Sequence, residues 1–258
     1  MTMEIDDHFA TVTQIIFGRS LSQLKDYGEW LLSRAPEGRI TGRKSAVSER
    51  TVYIPSVRFF LALGKRMVKA DEALLLGQKK ISEKDADALT ISSAPGLLSG
   101  ISTTTPEIIW GENIGTAESC AYGPTQYCFR VACCWFSKFI GYSYWSRTSE
   151  NLFGCSLATD CSFCIKCYSS TKLTRCFEVN DSNNCADCYF CHNCEDLKDS
   201  MFCFNTKGKR YAIGNLEVGR EAYLGVKKLV QAQVVGELEK TKSFRYDIYN
   251  IGSKAAIV

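Results

Sequence analysis

Hydrophobic and polar positions change period along this 258-residue chain, and the changes divide it. Between Ser20 and Arg34, Leu21, Leu24, Tyr27, Trp30 and Leu31 recur three to four residues apart, the stripe of an amphipathic helix that Ala35-Pro36-Glu37-Gly38 ends. Thr51 to Ile54 is a short β-rich run stopped by Pro55. Val57 to Met67, through Phe60, Leu61 and Leu63, predicts a second apolar helix, and Asp71 to Gln78 continues helical. Ser82-Glu83-Lys84-Asp85, with an acidic side chain three residues after the serine, starts a short helix to about Leu89. Ser92 to Thr105 is rich in Ser, Thr, Gly and Pro and reads as a connection. Near the other end, Glu221 to Lys240 carries Tyr223, Val226, Leu229, Val230 and Leu238 at helical spacing, and Phe244 to Ile251 packs back as a tail.

Between these helical parts the period is three. Every third residue from Cys128 to Cys203 is Cys, Ser, Val, Ile, Leu or Ala; of these 26 positions 12 are Cys and 7 are Ser. A helix needs spacings of three and four in alternation and a flat strand needs two, so the chain must turn regularly. A shift of 27 residues also places Cys161, Cys164, Cys167 and Cys176-Phe177 on Cys188, Cys191, Cys194 and Cys203-Phe204. Internal repetition of this length predicts a solenoid. The fold class read from these patterns is α+β, with a helical N-terminal part at 1–105, a narrow Cys/Ser-cored β-solenoid at 106–210 and a C-terminal helix and tail at 211–258.

Aromatic residues fall in the two other phases, which point out of such a core. Trp135, Phe136, Phe139, Tyr142, Trp145, Phe163 and Phe190 are therefore the candidate interface residues, to be covered either by the helical parts or by other subunits. The net charge of +3, with 31 basic residues scattered among 28 acidic ones, gives no specific nucleic-acid signal. An acidic start and the lack of a long apolar run predict no secretion signal and no membrane span.

The thiols invite a second reading. Cys161, Cys164, Cys167, Cys185, Cys188, Cys191 and Cys194 stand at the two-residue gaps of zinc and iron–sulfur sites. The same phase continues through Ser170, Leu173, Val179 and Ser182, which a metal site would not select, so core packing without a cofactor is the leading reading and Zn or Fe–S the alternative. His192 is off that phase and is expected on a solvated face, and His8 in a mobile N-terminal segment. Asp181, Asp187, Asp196 and Asp199 read as a solvated turn face, and Lys207-Gly208-Lys209-Arg210 as a turn. No nucleophile, base and stabiliser group together, so no catalytic residue is named.

From the Cys/Ser triplets through Cys203-Phe204-Asn205-Thr206-Lys207 to Ala212-Ile213-Gly214-Asn215, the chain resembles cysteine-rich repeat proteins of microbes and their viruses. The resemblance implies a solenoid closed by a helical tail and a virion or assembly setting; with no secretion signal expected, the location read from the sequence is cytoplasmic or virion-associated. The functional expectation is a non-enzymatic structural protein that self-associates through aromatic faces into a shell, filament or virion component.

Overall fold

The computed structural model describes residues 2–64, 66–146, 152–155, 162, 164–168, 173–180 and 185–253. The chain opens with helix α1 (Thr2–Phe17), which includes the segment around His8 that the sequence leaves mobile. The predicted helix of Ser20 to Arg34 is a 3-10 turn followed by the single turn α2 (Gly28–Leu31). Leu21, Leu24, Tyr27, Trp30 and Leu31 are nonetheless all buried, so the apolar stripe reports burial correctly where it overstates helix length.

The run ending at Pro55 is strand β2 (Thr51–Pro55), paired antiparallel with β1 (Ile40–Lys44), a strand the sequence reading lacks. The expected helix of Val57 to Met67 shortens to α3 (Arg58–Leu61), after which Met67 bridges to Thr104. Helix α4 (Ala70–Leu76) is fixed by Glu72, whose Oε2 accepts from the Lys69 amide at 2.9 Å and from Ser45 Oγ at 2.6 Å. Helix α5 (Glu83–Asp87) is capped as its sequence predicts, with Ser82 Oγ accepting from the Asp85 amide at 3.1 Å, and α6 (Ala94–Leu97) lies in the Ser/Thr-rich connection.

The triplet segment follows. Its strands are β3 (Ile108–Ile109), β4 (Asn113–Ile114), β5 (Ala121–Tyr122), β6 (Thr125–Gln126), β7 (Ser137–Lys138), β8 (Leu173–Thr174), β9 (Val179–Asn180), β10 (Cys185–Tyr189), β11 (Cys191–His192), β12 (Lys198–Met201), β13 (Arg210–Ile213) and β14 (Leu216–Glu217). Helix α7 (Arg220–Thr241) and a tail to Ser253 close the described chain.

The expected narrow β-solenoid is corrected here. The fold is mixed helix and small sheets, 30% helical and 21% strand, with no closed or solenoid sheet among the described residues. Apart from the β1–β2 hairpin there are separate sheets β14-β13-β12-β10-β8, β11-β9, β3-β5 and β4-β6-β7. The physical cause is visible in the backbone. Tyr127, Arg130, Cys133, Phe136, Phe139, Tyr142 and Trp145, then Phe190, Asn193, Asp196, Asp199, Phe202 and Asn205, all have φ between 46° and 62°. A left-handed residue at every third position turns the chain there, so most of the paired pieces are two residues long, while β12 and β13 carry such a residue, Asp199 and Tyr211, within their runs.

Each triplet therefore supplies one inward residue, one outward residue and one corner. The parallel pairings join residues 12 apart, as in Ala186↔Lys198, Thr125↔Ser137 and the Asn193–Asn205 side-chain bond. The 27-residue sequence repeat is thus not the structural step, since it spans two such steps and one further triplet. The inward phase does face a common interior: Cys128, Cys134, Cys155, Cys164, Cys176, Cys191, Cys194 and Cys203 share one buried cluster with Val131, Ile140, Leu152 and Leu197.

A second core lies outside the triplets. Phe129, Tyr142, Phe153, Phe177, Tyr189 and Phe190 pack against Phe9, Val12 and Phe17 of α1, Trp30 and Leu31 of α2, and Tyr223, Val234, Val235 and Leu238 of α7. The approach is close enough that Gly28 touches Tyr142, where an added Cβ would lie 2.6 Å from the phenol oxygen. Much of the outward aromatic surface is thereby covered by the chain's own helices.

Candidate functional site

The inward cysteines and serines do the same local work. Cys128, Cys134, Cys191, Cys194 and Cys203 each direct Sγ to the carbonyl two residues back, at 3.2 to 3.6 Å, and Ser119, Ser137 and Ser200 do so through Oγ at 2.8 to 3.0 Å. Several also reach a carbonyl nine residues on, as Cys194 Sγ does to Cys203 at 3.2 Å. A small side chain with one donor suits a position where a turn leaves a carbonyl facing the core, which is why Cys and Ser interchange there. Burial pushes the Cys120 and Cys128 thiols up to about 12 and the Cys133 thiol up to about 11, so they stay protonated at neutral pH.

Of the seven candidate metal ligands, Cys164, Cys167, Cys191 and Cys194 are buried in the triplet core. Cys185 and Cys188 are placed as backbone of β10, and Cys161 lies outside the described residues. Among the described residues no three His, Cys, Asp or Glu side chains converge as a metal-binding group. His192, on β11, is half-buried with its ring 6.2 Å from that of Tyr249, and His8 stacks on Phe139 at 3.5 Å. Asp196 and Asp199 occupy left-handed corners, and Lys207 pairs with Glu195 at 3.0 Å.

The aromatic candidates separate into two groups. Tyr142 and Phe190 are buried under the helices, Phe139 is half-covered by His8 and Tyr127, and Phe163 lies outside the described residues. Phe136, 70% exposed, and Trp145 face outward. Phe136 meets the exposed Trp110 edge-on at 5.8 Å, and Trp145 meets Trp135 and Tyr144, each at 6.3 Å. Exposed Ile108 and Ile109 on β3 and Ile114 on β4 adjoin Trp110 in sequence. Among the described residues β3 pairs only with β5 and β4 only with β6, so one edge of each strand is open beside this apolar surface.

A second constellation escapes the sequence reading. Lys166 and Glu178, each with a side chain 1% exposed, form an ion pair of 3.6 Å. Lys166 Nζ also donates to Ser33 Oγ at 3.1 Å and lies 5.5 Å from the Trp30 ring centre, while Tyr168 OH donates to Glu178 Oε1 at 2.9 Å. Beside it Arg34 Nε donates to Asp247 of the tail at 2.7 Å. Trp30, Ser33, Arg34, Lys166, Lys242 and Asp247 line a cleft of about 410 Å³ between α2 and the end of α7. Among the described residues Trp30 Nε1 and Glu178 Oε2 are buried without hydrogen-bond partners.

Burial lowers the Lys166 pKa against the opposing pull of Glu178, and burial raises that of Glu178 against the opposing pull of Lys166. A carboxyl that binds its proton more tightly when folded stabilises the fold at low pH. That contribution is lost as pH rises from the ordinary carboxyl value through the raised one. A lysine with a depressed folded pKa acts in the opposite direction, adding stability as pH rises through that value toward the ordinary lysine range. Because the raised Cys120, Cys128 and Cys133 thiols themselves cost stability above about pH 9, the pair is read from urea unfolding as the difference between wild type and variant across pH, its contribution falling above about pH 4.5 and rising in the alkaline limb. Glu178→Gln should flatten the first limb and Lys166→Met the second.

Comparison of the chain with protein-family models, curated proteins and solved structures gives no match. Among the described residues no helix is long and apolar enough to cross a membrane.

Proposed function

We propose that this chain is a non-enzymatic structural protein that self-associates through the surface of Trp110, Trp135, Phe136, Tyr144 and Trp145 beside the open edges of β3 and β4. The observation that carries the reading is Phe136. Its ring is 70% exposed, and its φ of 55° is a left-handed conformation that costs a non-glycine residue roughly 1–2 kcal/mol. An aromatic retained at an exposed, strained corner is accounted for when a partner covers it. Buried corners such as Tyr142 recover the same cost from packing inside the chain.

Size-exclusion chromatography with light scattering tests the proposal, with a concentration-dependent oligomer as the expected result. Phe136→Asn places a residue that tolerates the left-handed region at that corner. It should stabilise the isolated chain by up to about 1 kcal/mol in urea while weakening association at least tenfold. A monomer at every concentration would overturn the proposal.

A further inference from the structure

We propose that Lys166 is a carbonyl-reactive amine, and that the cleft between α2 and the end of α7 takes a small oxo acid whose carbonyl carbon is attacked by Lys166 Nζ to form a Schiff base. This goes beyond the assembly reading and uses a different part of the molecule. The geometry combines a cavity of about 410 Å³ with a buried amine on its wall, a carboxylate 3.6 Å behind that amine, and unused hydrogen-bond donors beside it.

The buried pair can carry out the step without an added co-reactant. Lys166 passes one proton to Glu178 Oε1 and becomes a neutral nucleophile. Its lone pair forms the C–N bond while the carbonyl π electrons move to oxygen. The oxygen then leaves as water, taking one proton from the nitrogen and one from Glu178. The products are one water and a protonated imine paired with the Glu178 carboxylate, so charge and atoms balance.

Burial favours the first transfer, since it weakens the ammonium and the carboxylate alike. Tyr168 OH, 2.9 Å from Glu178 Oε1, holds that carboxyl in place. Trp30 Nε1, buried on the cleft wall without a partner among the described residues, and the Ser33 hydroxyl are donors available to the carbonyl oxygen. The acid group of the ligand is assigned to Lys242. Its Nζ contacts the Tyr27 hydroxyl at 3.3 Å, and among the described residues it has no carboxylate partner. Of the other charges on the wall, Arg34 is held by Asp247, Arg245 by Glu237 and Glu29 by Arg39, which leaves Asp26 and Lys242 without an ion-pair partner among the described residues, and of these two Lys242 is the one that can hold a carboxylate.

The test is trapping. The full chain is incubated with pyruvate and sodium cyanoborohydride at neutral pH, and reduced adducts are mapped by peptide mass spectrometry, with propanal as a carbonyl lacking the acid. The expected result is one dominant adduct, on Lys166, forming at least tenfold faster than at any exposed lysine. Glu178→Gln should slow it at least tenfold, and Lys242→Ala should slow trapping of pyruvate but not of propanal. Adducts spread over exposed lysines, with Lys166 no faster than the rest, would overturn the proposal. So would undiminished trapping in a Lys166→Arg protein of unchanged circular dichroism. Because wild-type mapping and Lys242→Ala leave the buried pair intact, the proposal is decided even if the pair's variants fail to fold.

Discussion

Glu178→Ala is expected to lower the free energy of unfolding by about 3–5 kcal/mol, because it leaves the Lys166 ammonium in the interior without its counter-charge. Two features place the value in that range. Lys166 and Glu178 are each 1% exposed, so the ammonium is largely desolvated, and the Ser33 hydroxyl supplies a dipole where a charge is needed. Tyr168 also loses the acceptor of its hydroxyl. The double variant Lys166→Met/Glu178→Leu removes both charges and keeps most of the volume, and should recover nearly all of the loss. Urea unfolding at pH 7 of the wild type, the single variant and the double variant is the measurement. A single variant within about 1 kcal/mol of wild type would show that the pair is hydrated in solution, since exposed pairs are worth about that much.

Phe177→Ala should cost about 3–5 kcal/mol, the range for removing a buried phenylalanine that its surroundings cannot replace. Phe177 is fully buried and meets five rings from four parts of the chain: Phe17 at 4.8 Å, Trp30 at 5.9 Å, Phe190 at 4.9 Å, and Tyr189 and Phe244 at 6.3 Å. No single neighbour can move into the space without leaving another contact. Phe177→Leu keeps most of the volume and should cost less than half as much. A total stability of about 5–15 kcal/mol is usual for a domain, so the alanine protein should also melt at markedly lower temperature. Thermal melts followed by near-ultraviolet circular dichroism read both changes, because the signal arises from these rings.

The pattern with period three was legible, and so was its inward phase, because a side chain's distance from the core repeats wherever the backbone conformation repeats. What that conformation was could not be read from the inward residues. The corners record it, in Asn193, Asp196, Asp199 and Asn205, residue types that tolerate positive φ, and in Gly115 and Gly208. The length of the pairing step was also written in the sequence, though in the outward phases. Opposite charges stand 12 residues apart at Glu118 and Arg130, and at Glu195 and Lys207, and pair in the structure at 2.8 and 3.0 Å. Lys166 and Glu178 stand at that same separation in sequence. A search for complementary charges at one fixed offset would have found the buried pair, whereas attention to the cysteines led to a shift of 27. The covering of Tyr142 and Phe190 by α1, α2 and α7 was not legible, because long-range docking of helices leaves no period in either partner.

The five-stranded sheet and the sheets of β3 and β4 end differently, and the difference bears on stoichiometry. In the first, β13 is followed by β14, which reverses direction, pairs antiparallel and presents Glu217 beside Asn215 and Arg210. In the others, β3 and β4 face outward with Ile108, Ile109 and Ile114. Growth by repeated head-to-tail addition needs two complementary ends, and a reversed, charged terminus is a poor template for the next parallel strand. Two copies can instead meet through their like apolar ends about a two-fold axis, which consumes both open edges at once. On the assembly reading the natural count is therefore two, and the mass measured by light scattering should level off at twice that of the single chain.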